Sequence, residues 1–118
     1  MAAASGAWLI VDGTPVALEV ASTGKARLSG LIGRDDFHGA LLLTPARTVH
    51  TMRMRFAIDV AHLDWDLNVL AVETMQPHRL GRLVRGTRQI LEAEAGSFEK
   101  WGLRPGSELS IPESEAAV

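Results

Sequence analysis

Apolar and polar positions alternate along this chain in short runs, broken repeatedly by glycine, proline and aspartate. Trp8–Val11 and residues 16–20 read as two strands, with Asp12-Gly13 as a tight hairpin between them, because both tolerate positive φ. Pro15 trims the start of the second strand. Ser22 or Thr23 can cap a helix running to about Ile32, in which Leu28, Leu31 and Ile32 share one face. Gly33 then suits the left-handed position after the last turn. Gly30 inside such a helix costs roughly 1 kcal/mol against alanine, which close packing under another element would explain. Residues 34–39 form a loop, and Ala40–Leu43 is apolar throughout, as in a strand buried on both faces.

Residues 48–60 mix core and chemistry more densely than any other stretch. If 51–54 is extended, Met52 and Met54 share one face, and Thr51 and Arg53 share the other. Ile58–Leu63 is a firmer strand, with Ile58, Val60 and His62 on one face and Asp59, Ala61 and Leu63 on the other. Residues 64–68 make a hairpin loop with Trp65 at its tip, and 69–73 return. Residues 77–88 are a long irregular connection with arginines at 79, 82, 85 and 88, and no acid occurs from Thr74 to Leu91. Gln89–Glu94 reads as a strand. Ser97 caps one helical turn over 98–101, which Gly102 closes. Pro105-Gly106 suits a type II turn before a last strand at 108–111. The pattern predicts one α+β domain over residues 7–112, with loose tails at 1–6 and 113–118. It is β-rich: six to eight short strands in a strongly curved sheet or partial barrel, with two short helices against it.

Composition narrows the function classes. The chain has 118 residues, 47% of them hydrophobic, which suits one core and excludes a disordered chain. A net charge of −2 provides no global field for nucleic acid or an anionic membrane, so neither is expected as a partner. With no cysteine there is no disulfide and no thiolate metal site, which fits a reducing compartment. The N-terminus has no basic region ahead of its apolar run, and no stretch approaches the roughly 20 apolar residues of a membrane span. A cytoplasmic protein is expected.

Four pieces stand in a telling order. They are Gly30-Leu31-Ile32-Gly33-Arg34; His50-Thr51 leading through Met54-Arg55-Phe56 to Ile58-Asp59-Val60; Ile90-Leu91-Glu92 with Ala95-Gly96; and Gly102-Leu103-Arg104-Pro105-Gly106. Together, over about residues 16–111, they resemble the domain of unknown function 192 family of small bacterial and archaeal proteins. The resemblance implies a compact β-rich α+β domain and no particular activity. The chain departs from the family pattern at Ala57, where a proline is usual, at His62, where a large apolar residue is usual, and at 64–68, which lacks the usual glycine.

The candidate chemistry centres on His50, Arg53, Arg55 and Asp59, with Arg34 and Glu92 at the edge. Asp59 sits within an apolar strand, so it must be paired, hydrogen-bonded or functional. It is either a general base or an acceptor for a ligand hydroxyl, or else a structural tie to backbone N–H groups or to Arg55. The arginines could clamp an anion, or pair with Asp59, Glu92 or Asp35-Asp36. His50 could shuttle a proton, or merely pack and hydrogen-bond. Asp59 and His62 point to opposite faces, which disfavours a metal site, and no cofactor motif is present. The expected function is a ligand-binding or accessory module for a small molecule or protein partner. One alternative is a hydrolase-like enzyme using Asp59 or Glu92 as base. Another is a protein-interaction module using Trp65 and the 77–88 loop.

Overall fold

The computed structural model describes residues 7–112; the tails at 1–6 and 113–118 lie outside the described residues. Seven strands run in chain order: β1 (Trp8–Val11), β2 (Thr14–Ala21), β3 (Ala40–Leu43), β4 (Ile58–Leu63), β5 (Val69–Met75), β6 (Gln89–Glu94) and β7 (Leu109–Ser110). Two short helices, α1 (Gly24–Ser29) and α2 (Ser97–Trp101), follow β2 and β6. The strands form one sheet in the order β5-β4-β6-β3-β2-β1-β7. The β2–β3 pair is parallel, and the other pairs are antiparallel. That parallel pair needs a crossover, which α1 and the loop after it provide.

β2 is the pivot of the sheet. Its first half pairs with β1 and its second half with β3. The sheet therefore curls, and Leu9 and Val11 of β1 meet Ala61, Leu63 and Leu91 in one apolar cluster closed by Phe98 of α2. The opposite face carries a second cluster, with Leu41, Leu43, Ile58, Val60 and Ile90 under Leu31, Phe37, Val49 and Met54 from the connecting segments. Strand alternation makes the division: Ala40 and Leu42 belong to the first cluster, Leu41 and Leu43 to the second. All four are buried, as the unbroken apolar run of β3 implies.

The departures from the expected elements have local causes. α1 is capped by Thr23, whose side chain accepts from the Ala26 N–H at 3.0 Å, but it stops at Ser29 and not near Ile32. Gly30 ends it with φ 45° and ψ −126°, a conformation open to glycine. Leu31 then turns inward and is buried, while Leu28 stays 75% exposed, so the two do not share a face. Residues 51–54 are a turn and not a strand, and Arg53 holds a φ of 64°. Thr51 imposes this: its Oγ1 donates to the Gln76 carbonyl at 2.6 Å and accepts from the Arg79 N–H at 2.9 Å, stapling this segment to the 77–88 loop. The 64–68 loop works without glycine because Leu67 takes a φ of 67° and Asp64 accepts from Asn68 Nδ2, Asn68 N and Asp66 N. Hydrogen bonding to the Asn68 side chain, first of all, lowers the Asp64 pKa. The last strand shrinks to Leu109–Ser110.

Candidate ligand site

β4 and β6 lie side by side at the centre of the sheet, and each carries one buried carboxyl. The register sets Asp59 opposite Ala93, and Val60 opposite Glu92. Residues directly opposite share a face, and neighbours along a strand do not. Asp59 therefore points to the Phe98 side of the sheet, and Glu92 points to the Leu31 side. The residues expected to form or border one site are thus not gathered in one place.

Asp59 is saturated. Its Oδ1 accepts from Thr74 Oγ1 at 2.7 Å, and its Oδ2 accepts from the N–H groups of Gly96 and Phe98, both at 3.0 Å. It caps α2 from a distant strand, where the first N–H groups of a helix need acceptors. The helix begins after Gly96 and has no side-chain cap of its own, so Ser97 does not hold the role expected of it. The open hollow of about 440 Å³ beside Asp59 is lined by its three donors' residues Thr74, Gly96 and Phe98 and by Val72, Glu73, Glu99 and Leu103. These three bonds give Asp59 the structural role, tying β4 to β5 and to the start of α2.

Glu92 is the opposite case. It is 5% exposed, and among the described residues its carboxyl has no hydrogen-bond or ion-pair partner. Leu41 and Val60 flank it on the neighbouring strands, and a Cβ placed on Gly30 would lie 3.7 Å from its Oε1. The carboxyl lines a cleft of about 60 Å³ together with the apolar Leu31, Val49 and Met54 and the polar Arg27, Thr48 and His50. Burial pushes its pKa up to about 7, and the positive charge of Arg34 opposes that rise. The cleft has room for a few water-sized groups, enough for the end of a ligand and not its whole body.

The other expected residues have their own positions. His50 joins Glu92 along the cleft. Its Nδ1 accepts from the Met52 N–H at 3.2 Å, which in the neutral ring leaves the hydrogen on Nε2. Arg34 acts on Glu92 through its charge, but its guanidinium is bidentate on Glu19 at 3.2 and 2.8 Å and lies over the Phe37 ring at 5.2 Å. Arg55 pairs with Asp35 at 2.7 Å on the surface, well exposed. Arg53 is exposed at its turn, its N–H donating to His78 Nδ1. The anion clamp expected of Arg34, Arg53 and Arg55 is not assembled.

Arg27 and Thr48 also line the cleft, and neither is singled out by the sequence, whereas Met54 stands in the motif. The signal that could have marked the place is Gly30, where the chain passes over Glu92. His62 is fully buried, and its ring nitrogens meet Glu73 at 2.9 Å and Thr87 at 3.4 Å. Its polar atoms are thus satisfied at a position where the family pattern has an apolar residue. Among the described residues no group of three His, Asp or Glu is gathered as a metal site needs.

The family model for domain of unknown function 192, described as an uncharacterized ACR, matches residues 7–111. The chain belongs to that family. Two solved structures share its fold. One is a protein of unknown function from Novosphingobium aromaticivorans DSM 12444, with a TM-score of 0.75 and 20% identity over 87% of this chain and 83% of that one. The other is a candidate transcription regulator from Sinorhizobium meliloti 1021, with a TM-score of 0.73 and 20% identity over 89% of this chain and 91% of that one. No curated protein matches. Likeness at this identity extends to the fold, and a curled β-rich sheet with two short helices is therefore a property this DUF192 member has in common with both structures.

Proposed function

We propose that this DUF192 domain is a ligand-binding module whose site is the cleft over Glu92, with His50 at its mouth. One observation carries the reading: a carboxyl only 5% exposed, without a partner among the described residues, opens onto a narrow cleft of mixed apolar and polar lining. A bound donor would pair with carboxyl oxygens that the described residues leave without a partner. The fitting ligand end is a primary amine on a narrow alkyl stem. The methylenes pack on Leu31, Val49 and Met54, and the ammonium meets the carboxylate. Because Glu92 titrates near pH 7, amine binding expels its proton and strengthens as pH rises through that value. Titrating the protein with butylamine, butanol and butyrate while following amide chemical shifts tests this. Butylamine should shift the amides of Val49, Met54 and Glu92, more strongly in alkali, and Glu92→Gln should lose the effect. If none of the three compounds moves those amides, the ligand-binding reading is wrong.

The enzymatic alternative survives with Glu92 alone. A carboxyl poised near pH 7 beside a histidine suits general acid–base work. Turnover of a small ester or amide that disappears in Glu92→Gln would favour it over simple binding. A cytoplasmic site of action fits the absence of cysteine, and among the described residues no helix is long and apolar enough to cross a membrane. Cell fractionation tests the compartment.

A further inference from the structure

The 77–88 loop has a chemistry separate from the Glu92 cleft. Among the described residues Arg79, Arg82, Arg85 and Arg88 make no ion pair, nor does Arg47 beside them. Arg79 and Arg88 reach only the backbone carbonyls of His78 and Thr87. Arg47, Arg85 and Arg88 line a second cleft of about 450 Å³ with Thr48, Thr87 and Leu83, and no acid lines it. Between the arginines stand Leu80 and Leu83, 81% and 82% exposed. Two leucines this exposed, three residues apart, present an apolar surface that the fold itself does not use.

The loop is held in this pose. The Gly81 N–H donates to the Val49 carbonyl at 2.8 Å, and a Cβ on Gly81 would come within 2.6 Å of Val49 Cγ1, so the backbone lies flat on that segment. Thr87 Oγ1 donates to the Val84 carbonyl at 2.7 Å, and the Arg88 N–H donates to the Leu63 carbonyl at 2.8 Å. The leucines therefore project from a pinned support.

We propose that this loop docks the protein on an anionic phospholipid bilayer. Leu80 and Leu83 enter the acyl region, and the cleft of Arg47, Arg85 and Arg88 holds a headgroup phosphate. Guanidinium groups match phosphate in charge and geometry, and arginines beside a membrane gain from its negative surface potential. The overall charge of −2 argued against a membrane, but it averages over acids that lie outside residues 74–91. Nucleic acid would engage the arginines and leave both leucines unmatched, and the loop has no Phe, Tyr or Trp to stack on a base.

Flotation of the full chain with vesicles decides the matter. The protein should float with vesicles of phosphatidylcholine and phosphatidylglycerol, and not with phosphatidylcholine alone. Arg82→Glu with Arg85→Glu should abolish flotation, and each single arginine neutralisation should weaken it about fivefold. Leu80→Ser with Leu83→Ser should weaken it about tenfold or more, with the melting temperature unchanged because both side chains are exposed. No flotation with anionic vesicles overturns the proposal. So does flotation undiminished in the leucine variant, or tighter binding of soluble glycerol phosphate or duplex DNA than of anionic vesicles, since the surface would then serve a free phosphate or a nucleic acid.

Discussion

Asp59 and Glu92 are buried to nearly the same degree, 4% and 5% exposed, on adjacent strands of one sheet. Their chemistry differs because their faces differ. Asp59 looks toward the start of α2, where two backbone N–H groups and a threonine hydroxyl converge on it. Glu92 looks toward a turn at Gly30 that supplies no donor. Burial alone therefore does not decide what an acid does; whether protein donors meet its oxygens separates the two. Asp59 contributes to holding the fold together, and Glu92 makes no such tie among the described residues.

The largest test of this contrast is Asp59→Ala. It strips three donors of their acceptor and should lower stability by about 4 kcal/mol, read as a fall in the denaturant midpoint. A loss below about 1 kcal/mol would break the comparison. Next comes the pH dependence of Glu92. Its folded-state pKa of about 7 lies above its ordinary 4.5, so the folded chain holds that proton more tightly than the unfolded one. The resulting stability is full below pH 4.5 and is lost as pH rises through about 7. Relative to Glu92→Gln, wild-type stability should therefore drop by about 3 kcal/mol across that window. Parallel curves for the two proteins would mean that the carboxyl is partnered in solution.

Arg34→Met is a smaller probe. Removing the charge that opposes the rise should move the Glu92 titration midpoint further up, as followed by NMR. Its pair with Glu19 is more than a third exposed on both sides, so the stability change should stay below about 1 kcal/mol. The smallest effect is expected at Ser97→Ala. A true N-cap serine would cost about 1 kcal/mol, whereas with Asp59 holding the helix start the change should be within about 0.5 kcal/mol. A full capping loss there would transfer the role from Asp59 back to Ser97.

Much of the fold was legible along the chain because strands carry their instructions locally. The period-2 alternation of Ile58–Leu63, the unbroken apolar run of Ala40–Leu43 and the Asp12-Gly13 turn each need only neighbours to be read, and all three take their expected forms. The same alternation already separated Asp59 from His62. Local reading failed where a distant group overrode it. Thr51 ties its segment to Gln76 and Arg79 and bends 51–54 out of the extended form. Asp59 caps a helix 37 and 39 residues further on.

The candidate site was hidden for the same reason. Glu92 stood out as a motif residue, and its place on the face opposite Asp59 followed only once β4 and β6 paired as they do. Strand register, set by long-range hydrogen bonding, decides which side chains converge, and no local pattern encodes it. Element identity, the apolar core and the acid-free arginine loop belong to the order of residues along the chain. Which carboxyl is satisfied, which is left open, and that Leu80 and Leu83 face outward from a pinned loop were decided by packing, because each depends on what another part of the chain brings alongside.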